Sequence, residues 1–425
     1  MRDRVVCSVA ALLLASACSS LSGAGTGAVA PNRVALAPAS GGSYTVTVLP
    51  SLGGTNSAAN SINDRGWPMG TSFLAGNATM HAALWRDGNV TDLGTLGGPN
   101  SAVEWPVEND RGYVSGISET SRKDPLGEST SWSCHAFLPD NGSSGDTCLG
   151  FVWHDGRMRK LPTLGGNNGY GAGMNEGGQI VGWAETKKHD PTCKSPQVLQ
   201  FLPAEWDAVT RKVQPLPTLT LHGRREPDGA ATAVNKSGEV VGISGICDQA
   251  VGRFTARHAV LWKNGQPVEL QTLGGTAWNT PVAINESGQI VGFLDRNVRD
   301  RAGNPNFISV IWTDPASPPT RIGTLPGDTL SEPTSINDEG VVLGVSFPSS
   351  HVYVWENGTM TDLTKLVLLS YPQLELVSVG GINDRGEIAG QACQLVSGTC
   401  PSSGATFVTF LATPNSEAGL LPQVP

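Results

Sequence analysis

Short apolar runs recur along this chain, separated by turns rich in Gly, Asn and Asp, a pattern that fits strands rather than helices. Around Asn285 the run Val282–Ile284 is followed by the turn NESG and a second apolar run, Gln289–Phe293. After a loop comes ISVIW, ending at Trp312, then a turn and a segment carrying Ile322 and Leu325. This reads as four strands, here called a to d in chain order.

The unit is repeated. SINDRGWPMG, VENDRGYVSG, GMNEGGQIVG, AVNKSGEVVG, AINESGQIVG, SINDEGVVLG and GINDRGEIAG place an Asn at positions 63, 109, 175, 235, 285, 337 and 383, with Gly three and seven residues later. Spacings run from 46 to 66 residues. Strand c ends at Trp85, Trp153, Trp206, Trp262, Trp312 and Trp355, with Phe410 in the seventh copy. Four of these precede a two-residue hairpin signal, Asp87-Gly88, Asp155-Gly156, Asn264-Gly265 and Asn357-Gly358. Strand d carries pairs such as Leu93 and Leu96, Leu161 and Leu164, Leu270 and Leu273, and Leu363 and Leu366.

The two ends of the chain indicate how the units close. The seventh copy stops after strand c, whereas Tyr44–Leu52 (YTVTVLPSL) has the form of strand d and precedes the first copy. An N-terminal strand that completes the last sheet removes an exposed edge. The expectation is therefore an all-β, seven-bladed β-propeller of four-stranded blades over residues 43–413, followed by a tail at 414–425. A parallel β-helix has shorter and more uniform coils, and a tandem array of small β-domains has no need of strand exchange between its ends.

Composition agrees: charged residues are only 15%, with 53 Gly and 29 Pro, which suits short strands and tight turns. A net charge of -9 without a Lys/Arg cluster argues against nucleic-acid partners. Residues 1–17 read as a signal peptide, with Arg2 and Arg4 before an apolar stretch through Leu14. Ala15-Ser16-Ala17-Cys18 is similar to a bacterial lipobox, which makes Cys18 a lipidation site and 18–42 a flexible linker; plain cleavage after Ala17 is the alternative. The expectation is an exported monomer that touches the membrane only through its lipid. Six further cysteines fit an oxidising compartment. Close spacing suggests Cys134 with Cys148 and Cys393 with Cys400, leaving Cys193 and Cys247, although six cysteines permit fifteen connectivities.

The segments HAFL (His135–Leu138), HAALW, HAVLW and LGTLGG (Leu93–Gly98) resemble the HAF family of bacterial extracellular repeat proteins, over roughly Val46 to Leu411. The resemblance implies secretion and a repeat architecture. It implies no active site.

Chemistry is sparse. The Asn-x-x-Gly turn has the oxygen side chains of a calcium loop in five copies, but Lys236 stands where the others carry an acid, and Asn capping a turn accounts for all seven. Neither a metal nor a cofactor is expected. His81, His258 and His351 share one position four residues before the strand c Trp, which points to packing. His189 and His222 lie off the repeat, near Asp190 and Arg224.

Counting back from each Asn, the second residue is small in most copies, as crowded innermost strands require. The fifth residue back varies: Ala58, Glu104, Tyr170, Ala230, Thr280, Glu332 and Ser378. With Trp105, Asp228 and Trp278 nearby, Glu104, Tyr170 and Glu332 are expected to form an acidic, aromatic rim on the face that carries the long b–c loops and all six cysteines. Such a rim suits a carbohydrate or a basic peptide. The leading expectation is a non-enzymatic recognition platform for carbohydrate or an envelope protein. The alternatives are a polysaccharide lyase or hydrolase, using Glu104 or Glu332 with His222, and a purely structural envelope protein.

Overall fold

The computed structural model describes residues 44–415, except 131–133, 135, 140–144, 248–255, 300–302 and 304. The expected signal peptide, Cys18, the expected linker, His135 and the tail beyond 415 lie outside the described residues.

Among the described residues the chain is all-β apart from the helix Leu363–Ser370 and a short 3-10 turn at Glu128–Thr130. Among the described residues there are seven four-stranded antiparallel units, plus a two-stranded hairpin of Thr220–Leu221 with Arg224–Arg225. The fifth unit is typical: Thr280–Ile284, Ile290–Arg299, Pro305–Trp312 and Thr320–Gly323, each paired with the next. In the seventh, Leu374–Ile382, Ile388–Gln394 and Phe407–Pro414 are followed at the outer edge by Tyr44–Val48, which pairs Val46 with Ala412. A single parallel pair, Asn56 with Phe407, links this unit to the first.

The N-terminal strand repeats the bonds that strand d makes elsewhere. Leu49 N donates to Thr409 O (2.8 Å) as Leu161 N does to Gly150 O and Leu270 N to Ala259 O. The indole of Trp85 donates to Pro50 O at 2.7 Å, and those of Trp206, Trp262 and Trp312 donate in the same way to Pro162, Pro217 and Gln271. Each strand c Trp in this set is thus stitched to the Leu-rich segment of the preceding unit. That segment lies beyond the end of strand d in most units, and the sixth pair departs further: Leu363 and Leu366 are helical, because Asp362 accepts from Lys365 N and caps a helix start.

The repeat Asn does more than cap its turn. Its carboxamide oxygen accepts from the backbone four residues on, as from Gln289 N to Asn285 (2.9 Å). Its amide nitrogen donates to the backbone oxygen of the next repeat Asn: 63 to 109, 109 to 175, 175 to 235, 235 to 285, 285 to 337 and 337 to 383, at 2.8–3.2 Å. The last, Asn383, donates to Asn63 O at 3.0 Å. All seven Asn are buried.

The second Gly of the repeat is set by the innermost strand. A Cβ on Gly242 would lie 2.1 Å from Ala230 O, and one on Gly182 1.9 Å from Tyr170 O, so no other residue fits opposite that carbonyl. Smallness two before the Asn has the same origin, since a Cβ on Gly173 meets the backbone of Thr232 and Ala233 at 2.9 Å.

Three disulfides form, Cys134–Cys148, Cys193–Cys247 and Cys393–Cys400, as their spacing and elimination suggested. The second joins the b–c loops of the third and fourth units. Such bridges belong to a protein that folds in an oxidising compartment. Among the described residues no helix is long and apolar enough to cross a membrane.

Asn285→Ala removes a buried donor and acceptor and leaves Asn337 O and Gln289 N without them. It is expected to cost about 1–3 kcal/mol in urea unfolding, and Asn285→Asp, which keeps only the acceptor, to recover a part of that loss.

Candidate functional site

In six of the seven innermost strands the register skips one residue three before the repeat Asn: Asn60, Ala172, Thr232, Val282, Thr334 and Gly380. A bulge re-aims its side chain. Here Asn60, Val282, Thr334 and Gly380 line a cleft where the innermost strands converge on the loop face. Glu104, Trp105 and Glu332 line the same cleft.

Glu104 arrives there by a different route from Glu332. In the second unit Ala102 pairs with Ile117, the place that Tyr170, Ala230 and Glu332 take opposite Trp183, Ile243 and Val345. Ala102 is therefore the register equivalent of Glu332. Glu104 and Trp105 lie in a two-residue excursion beyond the strand end at Ala102, and counting back from Asn109 had placed Glu104 in the wrong register.

The expected rim is also corrected in its exposure. Glu104 and Glu332 are only 6% and 3% exposed, and Trp105, Tyr170 and Trp278 are buried in one hydrophobic cluster with Phe137, Trp183 and Phe307. Tyr170 stacks on Phe137 at 4.7 Å, and Trp278 on Phe307 at 5.0 Å. These aromatic residues are core of the loop face, because large insertions there cover them. Asp228 lies apart from the cleft: it accepts from Phe201 N at 2.9 Å, and burial followed by Asp190 pushes its carboxyl up to about 8. His222 sits exposed in the tip of the small hairpin and is not among the residues that line the cleft with Glu104 and Glu332. His81, His258 and His351 each pair through Nδ1 with a carboxylate of strand d, Asp92, Glu269 and Asp362, at 2.7–2.9 Å.

Within the cleft, Glu104 Oε2 accepts from Asn60 Nδ2 at 3.1 Å, while its Oε1 is buried with no hydrogen-bond partner. Burial raises its pKa well above the ordinary carboxyl value. Burial alone pushes Glu332 up to about 8. Desolvation of this kind marks sites prepared for a charged ligand or for proton transfer. The surrounding walls are apolar, formed by Val282, Val345, Phe347 and Val379.

A second buried acidic group lies between the second and third units, where Glu185 accepts from Asn167 N and Asn168 N (2.9 and 2.8 Å) and Glu128 from Val198 N and Leu199 N (2.9 and 2.6 Å). A Cβ on Gly166 would meet Glu185 Cβ at 2.4 Å, so the LGG motif is the cradle that lets the loop lie on this carboxylate. Among the described residues no group of His, Cys, Asp and Glu is arranged to hold a metal.

The opposite mouth is built from the residues that follow each repeat Asn. Asp64, Asp338 and Asp384 accept from the backbone of a neighbouring turn at 2.9–3.0 Å. Lys236, which argued against a cation loop, here reaches across: its Nζ lies 3.6 Å from Asp64, 3.8 Å from Asp338 and 3.7 Å from Asp384. Burial alone would depress its pKa, but those carboxylates outweigh burial and raise it. Nearby, Glu108 is pushed up to about 8, first by burial and then by Asp64 and Asp384.

No family model matches this sequence, and no curated protein does. Solved structures match at the level of fold. The extracellular domain of a one-component system from B. thetaiotaomicron is 10% identical, with a TM-score of 0.42 over 88% of this chain and 40% of that one. This chain therefore spans less than half the length of that neighbour. Virginiamycin B lyase from Staphylococcus aureus is 10% identical, with a TM-score of 0.45 over 87% of this chain and 99% of the lyase. The β-propeller domain of the Trilobed protease from Pyrococcus furiosus is 10% identical, with a TM-score of 0.42 over 84% and 92%.

The buried acids fix a pH dependence. Glu332, Glu185 and Asp228 have folded values near 8 against ordinary values of 4.5 and 3.8. Between those limits the folded chain keeps protons that the unfolded chain has lost, so stability is full below about pH 4 as far as these groups go and falls as pH rises toward about 8. The urea midpoint is expected to drop from pH 5 to pH 8, with a shallower slope in Glu332→Gln. Lys236→Met should destabilise at pH 7 by leaving Asp64, Asp338 and Asp384 to repel one another, and should cost less at pH 4, below the value of about 6 to which burial raises Asp384; thermal melts at the two pH values check this.

Proposed function

We propose that this chain is an exported seven-bladed β-propeller of the HAF-repeat kind, closed by its N-terminal strand and held at the cell envelope by lipid on Cys18. Its loop-face cleft serves recognition of a carbohydrate or an envelope protein, without catalysis. The observation that carries this reading is the pair of buried carboxyl groups, Glu104 and Glu332, brought from different units into one cleft with no basic side chain lining it. Burying such groups unpaired costs stability, which a fold tolerates at a binding site.

Closure is supported by the Asn383-to-Asn63 bond and by the Trp85-to-Pro50 bond, each of which repeats a contact made between all or several other neighbours. The variable b–c loops, stapled by disulfides, supply the surface around the cleft.

The same two carboxyls favour one second reading, a polysaccharide lyase or hydrolase in which one of them works protonated and the other ionised. A single experiment separates the readings. The exported chain is screened against glycans and envelope polysaccharides, and every ligand found is incubated with it and analysed for cleavage. Binding without cleavage that weakens roughly tenfold or more in Glu104→Gln and Glu332→Gln is the expected result. Cleavage products establish the enzyme, and binding indifferent to both variants moves recognition away from the cleft.

A further inference from the structure

We infer that the loop-face cleft takes an organic cation, a compact ammonium group carried on an apolar stem. This rests on the recognition reading above and narrows its ligand.

The donors and acceptors of the cleft are unbalanced. Asn60 Nδ2 donates to Val103 O (2.8 Å) and to Glu104 Oε2 (3.1 Å), and Gln391 Nε2 donates to Asn56 Oδ1 (2.8 Å) and Ser57 O (3.1 Å). The amide donors that line the cleft are thereby occupied. The carboxyl oxygens are not: Glu104 Oε1 is buried without a hydrogen-bond partner, Glu332 brings a second carboxyl into the same space, and the buried Thr334 hydroxyl, which can accept or donate, is also unpartnered. No Lys, Arg or His lines it. What is lacking is a set of N–H donors and a positive charge, and a primary ammonium supplies three donors and the charge together.

The walls fix the rest of the ligand. Val282, Val345 and Val379, with the nearly buried Trp105 and Phe347 at the border, offer apolar surface to an alkyl stem. A sugar ring has apolar C–H faces but carries hydroxyl groups around its rim, and it would set several of those against these valines. An inorganic cation would gain the carboxylates and leave the apolar walls unused. The three groups come from two units, Glu104 from the excursion in the second and Glu332 and Thr334 from the innermost strand of the sixth, so a cation between them draws those two units together.

The test compares n-butylammonium with n-butanol, its neutral counterpart of the same shape, by calorimetry and NMR titration on the exported chain. The expected result is binding of n-butylammonium at least roughly tenfold tighter than n-butanol, with that advantage lost in Glu104→Gln and in Glu332→Gln. Thr334→Val should weaken binding by a smaller factor, and circular dichroism melts confirm that each variant folds. The comparison between amine and alcohol on the unaltered protein needs no variant. Equal binding of the two probes overturns the inference, as does Ca2+ that binds at the cleft and displaces the amine. If an oligosaccharide binds and is lost in Glu104→Gln while n-butylammonium does not bind, the cation inference falls and recognition stands. If neither class binds, the cation inference falls and recognition is confined to an envelope protein.

Discussion

The seven-membered chain of asparagine amides is the contact on which the other features depend. Each side chain fixes its own turn through the oxygen and the next turn through the nitrogen, so the position of one unit is handed to its neighbour as a hydrogen bond of about the same length. An Asp or a Ser cannot do both tasks, since one lacks the donor and the other is too short. With the turns held at equal spacing, the innermost strands come close enough that the backbone of one excludes a side chain on the next, and the small residues at that position follow.

That closeness explains what could be read in the sequence. The Asn, the two glycines, the tryptophans and the Asn-Gly or Asp-Gly hairpins recur because backbone geometry demands them at every copy, and a repeated demand leaves a repeated letter. Asp87, Asp155, Asn264 and Asn357 all adopt positive φ followed by Gly, in keeping with the hairpin reading. The N-terminal strand was legible for the same reason, since LPSL matches the LPTL of Leu161–Leu164 and Leu216–Leu219 in both letters and bonds.

The cleft was legible only in part. Glu104 and Glu332 were singled out because the fifth residue before the Asn differs from copy to copy, and both line the cleft, although Glu104 reaches it from another register. Their surroundings were hidden. The bulge three residues before the Asn carries Asn60, Ala172, Thr232, Val282, Thr334 and Gly380, a set with no common chemistry, because a residue that points into open space is released from the repeat. Burial of Tyr170 and Trp278 depends on the b–c loops, whose lengths differ in every copy and whose packing is a tertiary matter. The helix at Leu363 misled for a simpler reason: L-x-x-L suits the end of a strand and a helical face equally, and only the Asp362 cap distinguishes them.

The strand Tyr44–Val48 finds its partner in Phe407–Pro414, so the first described strand cannot pair until the last has been made. Until then it must remain extended and solvated, and its alternation of Val46 and Val48 with Thr45 and Thr47 keeps it half polar during that wait. Once in place, it brings the two ends of the propeller body side by side on one edge. Because Tyr44 pairs with Pro414, both ends leave the strand pair at the same place, so a pull that separates the termini opens its five register pairs one after another, beginning with that one.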